Sequence, residues 1–287
     1  MYVVIGIVIV FGAVGVGYKL EHGQFSVLFQ PVELLIIGGA ALGAFVIASS
    51  KKIISLTLKA VTKMLSGHDI DKKAYIELLL LLNEIFFKVK REGFLAIEAD
   101  IDHPDESELF KKYQSVISNS STVNFICDNF RTIISSNMTP HELESLMEID
   151  MEAQEHDAMI PASALTKVSD GLPALGIVAA VLGVVLTMGK LSEPPAILGQ
   201  SIGAALVGTF LGILLSYGLV GPLATNLENK AKEHEAYLKV IKAAILAMAS
   251  GAAPQSAVES ARRAIPISDR PGFEELNEEI KNWKGNQ

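Results

Sequence analysis

The chain has one cysteine, no long basic run and no charge at all over several long stretches, and each lack excludes something. Cys127 is alone among 287 residues, so no disulfide can form within the chain. It falls in a charged stretch, which fits a reducing compartment, and its plainest role is that of a small buried apolar residue. The net charge of -8 without a basic stripe argues against a nucleic-acid partner. No G-x-x-x-x-G-K-S/T phosphate loop is present, and the glycine-rich piece Gly12 to Gly17 lies in an apolar run with no strand-helix pattern after it. The six histidines are scattered, and His141-Glu142 lacks the second histidine of a zinc-protease pair. With no metal-ligand cluster and no nucleophile motif, the expectation is a protein that is not an enzyme and holds neither metal nor cofactor. No segment alternates as a strand would.

What is present is apolar and unevenly spread. Hydrophobic residues make up 50% of the chain and charged ones 20%, below the roughly 25% of a typical soluble domain. Four stretches approach the length of about 20 apolar residues that crosses a bilayer. They are Tyr2 to Tyr18, Leu34 to Ser50, Gly171 to Gly189, and Gly199 to Pro222 within the uncharged run from Pro194 to Leu227. The apolar start has no basic leader segment and no small-residue cleavage pattern, so it reads as a retained span.

Basic residues near span ends set orientation. Lys51, Lys52, Lys59, Lys63, Lys167, Lys230 and Lys232 lie on one side, and only Lys19 and Lys190 on the other. Both termini are therefore expected in the cytoplasm, with two short outer loops. Gly39 and Gly43, then Ala179, Gly183 and Thr187, then Ala204, Gly208, Gly212 and Ser216, stand at the small-residue spacing that lets membrane helices approach. That spacing serves equally for packing within one chain or between copies.

The water-soluble part reads as helical. Tyr75 to Arg91 is an apolar run with Glu77, Glu84, Lys88 and Lys90 on its polar side. Further helices are predicted over Glu106 to Ser118, after the turn His103-Pro104-Asp105, and over Ser120 to Ser136. Thr139, Pro140 and Glu142 fit N-cap, N1 and N3 of a helix reaching about His156. Helices follow over Asn226 to about Ser250, stopped by Gly251, over Ala257 to Ala264, and over the acidic tail Phe273 to Trp283.

Ion pumps and proton paths usually show an ionisable residue inside the membrane. No span carries one near its middle, and Glu33 reads as an interfacial residue at the outer edge of the second span. A titrating carboxylate would then have to come from a partner. The spans themselves offer hydroxyls, with Thr187 and Ser216 toward the ends and Thr209 deeper; the ordinary role of such a hydroxyl is a bond to its own helix.

The segments Gly171 to Gly183, Val207 to Leu215 with Gly221 to Ala224, and Gln30 to Gly39 resemble the third, fourth and second spans of the MotA/PomA family of flagellar stator proteins. Met138 to Met147 and Asp269-Arg270-Pro271-Gly272-Phe273 extend the resemblance to essentially the whole chain. The resemblance implies an all-α integral membrane protein with four spans and a helical cytoplasmic domain. It implies a ring of five copies around a dimer of the single-span MotB, whose membrane helix carries an aspartate. Ion flow past that aspartate would turn the ring, and the cytoplasmic heads would push the rotor protein FliG. Pro173 and Pro222 match the family's two prolines at the cytoplasmic ends of the third and fourth spans, and Thr209 its fourth-span threonine. Lys90 or Arg91, with Glu98, match its rotor-facing charges. Sodium-driven relatives have threonine where this chain has Ala180; without that hydroxyl the resemblance implies proton coupling.

The expected organisation is 1–50 for the first two spans and 51–170 for a cytoplasmic domain facing the rotor. The third and fourth spans follow over 171–222, and cytoplasmic helices over 223–287. An energiser of the ExbB/TolQ type is the alternative, but such proteins usually have three spans. A secondary transporter would show a charge or a broken helix at mid-membrane.

Overall fold

Long uncharged runs have no water to satisfy their backbone and close their hydrogen bonds along the helix; the computed structural model, which describes residues 2–66, 70–136 and 138–285, is helical accordingly. In chain order the helices are α1 (Tyr2–Leu20), α2 (Phe25–Leu28), α3 (Pro31–Ala48), α4 (Lys51–Ser66) and α5 (Lys72–Glu92). A 3-10 turn (Phe94–Ile97) leads to α6 (Glu98–Asp102), α7 (Glu108–Lys111), α8 (Gln114–Ile117) and α9 (Ser120–Ser135). Then come α10 (Pro140–Met188), α11 (Pro195–Leu215), a π-helical turn (Ser216–Val220), α12 (Gly221–Ala249), α13 (Pro254–Ala264) and α14 (Phe273–Gly285). Among the described residues there is no strand. Four helical runs are long and apolar enough to cross a membrane: Tyr2–Leu20, Phe25–Ala48, and parts of Pro140–Met188 and Pro195–Ala249.

The chain forms two units. One comprises residues 1–67 with 157–230, the other 68–156 with 231–287. The first holds the four apolar runs. Ile37 and Ala41 of α3 pack there with Leu172 and Ala179 of α10. The second holds a large apolar core of Leu78, Leu82, Phe86, Phe110, Phe130, Ile241 and their neighbours. Cys127 is buried in that core, and burial pushes its thiol up to about 12, so it is an inert packing residue.

Several predicted elements are present with their predicted ends. Thr139 donates its backbone N–H to Glu142 Oε2 at 2.8 Å, and the Glu142 N–H reaches Thr139 Oγ1 at 3.4 Å, a reciprocal capping box. The Thr139 backbone N–H holds the Glu142 carboxyl below its ordinary range. Gly251, at φ 85°, ends α12 as predicted.

Two predictions need correction. The helix expected over Glu106 to Ser118 is two short helices. Ser107 Oγ accepts the N–H groups of Leu109 and Phe110 and so delays the start. Tyr113 then leaves helical geometry to bury its ring and donate to Glu84, while Glu77 accepts the Ser115 N–H at 2.9 Å. The two carboxylates assigned to the polar side of α5 thus fix the segment that follows. The helix expected to stop near His156 instead continues through Pro161 and Pro173 to Met188. A proline removes one bond from a helix; at Pro173 a neighbouring helical turn supplies a replacement, as shown below.

Candidate ion path and coupling seam

Small residues bring α10 and α11 to backbone contact. A Cβ placed on Gly176 would stand 2.9 Å from the Gly208 carbonyl oxygen and 3.1 Å from Gly212 Cα. On Gly212 it would stand 2.7 Å from the Leu172 carbonyl oxygen, and on Gly183 2.7 Å from Ala205 Cβ. The small residues predicted in the third and fourth spans are therefore used within one chain. Gly39 and Gly43 meet nothing within 4 Å there.

Glu33 lies on this seam, which corrects its assignment to the membrane interface. It sits in the first turn of α3, yet the residue is only 9% exposed. Its Oε2 would be 2.9 Å from a Cβ on Gly208, and its Oε1 3.7 Å from one on Gly183. The glycines leave the space the carboxyl fills. Oε2 is buried without a hydrogen-bond partner within the chain. The spans do contain an ionisable group, reached sideways from α3 and invisible to a count along α10 and α11.

The predicted ion-path residues, Glu33 not among them, gather along the same two helices. The Ala180 backbone nitrogen and Ala179 Cβ face the same side of Gly208 as Glu33 Oε2, each 3.2 Å from the Cβ that Gly208 lacks. Thr209 backs onto Gly176, with its Cα 3.3 Å from the position of a Cβ there, and is half-buried. Thr187 donates to the Gly183 carbonyl at 2.8 Å, the ordinary role of a hydroxyl in an apolar helix.

The two prolines are joined by a pair of serines that the sequence reading did not connect. Pro173 has no N–H, so the Ser169 carbonyl, four residues earlier, loses its helical donor. Ser216 Oγ replaces it, donating to Ser169 O at 2.7 Å. Ser169 Oγ returns a bond to Ser216 O at 3.1 Å. Both serines are buried, and the pair ties α10 to the π-helical turn. Gly221 gives the hydroxyl room: a Cβ there would stand 3.0 Å from Ser216 O and 3.1 Å from Ser169 Oγ. Pro222 follows at once, so its missing N–H falls beside an already rearranged turn. π turns of this kind recur at functional sites.

In the other unit, Lys90 and Arg91 form the last turn of α5, which Gly93 caps at φ 86°. Glu98 opens α6 just beyond the 3-10 turn. All three are exposed, whereas Lys88 is held inward by Asp100 at 2.8 Å, with Ser107 on the other oxygen at 2.6 Å. Among the described residues, no group of three or more His, Cys, Asp or Glu could hold a metal ion.

Residues 4–93 match the family model for the motility protein A N-terminal region, and residues 116–240 that for the MotA/TolQ/ExbB proton channel family. Motility protein A of Salmonella typhimurium is 41% identical over 281 residues, 98% of this chain and 95% of that protein. The chain belongs to the motility protein A family. The Escherichia coli member is also 41% identical, over 100% of this chain and 97% of its own length. The flagellar MotAB stator complex of Bacillus subtilis contains a chain that superposes with a TM-score of 0.77 at 27% identity, covering 93% of this chain and 96% of that one. The MotAB structure of C. jejuni gives 0.79 at 23% identity, a likeness of fold. As a member of this family the chain is a proton-channel subunit of the flagellar motor stator, and not an enzyme. The ExbB/TolQ alternative has the weaker support, since the relatives matched over the full chain are motility proteins.

The serine pair gives a direct test of the seam in this family member. Ser216→Ala leaves the Ser169 carbonyl buried and unpaired, a loss of about 1–3 kcal/mol. Thermal unfolding of the purified full-length chain in detergent should show a lowered midpoint, and Ser216→Thr, which keeps the hydroxyl, should restore most of it. Equal melting of wild type and Ser216→Ala would show that the seam does not depend on this bond.

Proposed function

We propose that five copies of the chain form a ring around MotB-type single-span subunits and turn as protons cross the inner membrane, their heads pushing FliG. The observation that carries this reading is the likeness to a chain of the Bacillus subtilis MotAB stator complex, which runs through both units. Ile177, Val181 and Val185 on α10, with Leu206 on α11, are exposed in one chain, an apolar flank suited to lipid or other subunits. In this reading both termini and residues 51–170 and 223–287 are cytoplasmic, in line with the lysines at the span ends.

Within that frame Pro173 and Pro222 are the bending points, linked through Ser169 and Ser216, and Thr209 lies near the carboxylate the partner supplies. Ala180 offers no oxygen to a hard cation, which supports proton over sodium coupling. Lys90, Arg91 and Glu98 form the rotor contact, because all three are exposed, the first two on the capped last turn of α5 and Glu98 on the first turn of α6.

Swimming speed of cells carrying only this stator and its single-span partner tests the coupling ion. Speed should ignore external sodium at fixed pH and collapse with a protonophore. A steep rise with sodium would overturn the assignment from Ala180 and leave the stator role standing.

A further inference from the structure

Glu33 has no role in the reading above, and its surroundings call for one. An ionisable group held among apolar helices is costly and is retained where it serves a path or a switch. Buried polar atoms are nearly always hydrogen-bonded, so an unpartnered one needs its own explanation. Here the residue is more than nine-tenths buried and Oε2 has no partner within the chain. A pure packing role is poorly served by a carboxyl, since a leucine or glutamine would fill comparable space without an unpaired acid.

Its position is specific. The carboxyl spans the seam, with Oε1 toward Gly183 and Ala205 and Oε2 toward Gly208, Ala179 and Ala180. Neither helix packed against it brings a competing charge: residues 171–189 and 195–216 contain no titratable side chain. α2, which packs on α11, has none either. Glu33 is thus a single acid in an apolar setting, level with the Ala180 and Thr209 region assigned to the ion path.

We propose that Glu33 is a second proton-carrying carboxyl of the channel, taking a proton from the outer side and releasing it toward the carboxylate that the single-span partner brings. The inference rests on the proton-driven stator reading. The step is a transfer between two carboxyls: the Glu33 O–H bond breaks as the acceptor's forms, and the next proton from outside restores Glu33. Gly183 and Gly208 hold the site open, because a side chain on either would press on the carboxyl or on the helix behind it.

The test uses the full chain with its partner in cells. Rotation speed under load is measured against external pH for wild type, Glu33→Gln and Glu33→Asp, with membrane level and copurification of the partner recorded for each. Glu33→Gln keeps shape and polarity but cannot release a carboxyl proton. It should assemble normally yet turn about tenfold slower, less than the loss of 100-fold or more typical of a lone acid–base group, because the partner's carboxylate remains in place. Glu33→Asp keeps an acid and should recover part of the speed with a displaced pH profile. If Glu33→Gln matches wild type in speed and pH profile while the protonophore still stops the motor, Glu33 is structural and the inference falls alone. If Glu33→Gln fails to reach the membrane, Glu33→Asp decides: a wild-type pH profile overturns the inference and a displaced one supports it. A wild-type motor insensitive to the protonophore would instead remove proton coupling, and this inference with it.

Discussion

Gly212→Val abolishes swimming, and the chain carrying it no longer copurifies with its partner in wild-type amount; this is the largest single-residue effect expected in the spans. The reason is steric. A Cβ at Gly212 would sit 2.7 Å from the Leu172 carbonyl oxygen and 2.8 Å from Gly176 Cα, and both obstacles are backbone. Side chains can rotate away from an added methyl, but two helix backbones can only separate. Overpacking a well-filled interior costs about 1–3 kcal/mol even where side chains can adjust. Separation here would also unseat Gly176 from Gly208 and withdraw the wall behind Glu33. Gly199 supplies the contrast, because a Cβ there meets nothing within 4 Å. Gly199→Ala should keep the single-chain fold, and quantitative membrane blots with motility assays separate the two. Wild-type assembly of Gly212→Val would mean that α10 and α11 are not in backbone contact in the membrane.

How much of this was legible beforehand depends on how local each feature is. The four apolar runs, the Thr139–Glu142 box and the Gly251 stop are written in consecutive residues, and the structure contains all of them. The depth of Glu33 is not, because it is set by two missing side chains on other helices, Gly183 and Gly208. A hydropathy profile sees a glutamate near a span end and assigns it to the interface. The continuation of α10 is not local either: Pro173 reads as helix punctuation, but Ser216 takes over the bond that Pro173 gives up, from a position 47 residues away from Ser169 in sequence. The π-helical turn had no sequence signal apart from Ser216 and the glycine–proline pair that follows it. In each case the missing information was the identity of a neighbour across the fold.

The second large effect lies in the other unit and separates the frame of the head from its working surface. Phe86→Ala should unfold the head at growth temperature, lower the amount of intact chain and eliminate motility. Phe86 is fully buried in α5 and meets the Phe130 ring of α9 edge-on at 6.4 Å between centroids. Truncating a buried phenylalanine costs about 3–5 kcal/mol, a large part of the roughly 5–15 kcal/mol that separates folded from unfolded domains. The same helix carries Lys90 and Arg91 one turn further on, so the residues proposed to meet the rotor depend on Phe86 for their placement. Replacing those two exposed charges by alanine should do the opposite: surface changes of this kind usually stay within about 0.5 kcal/mol, so motility falls while the head remains folded. Hydrogen exchange across residues 72–92 of the purified full-length chain distinguishes the cases. Protection should collapse in Phe86→Ala and persist in the Lys90→Ala, Arg91→Ala double variant. Collapse in both would mean that the two charges hold α5 together and are not free to serve as a contact surface.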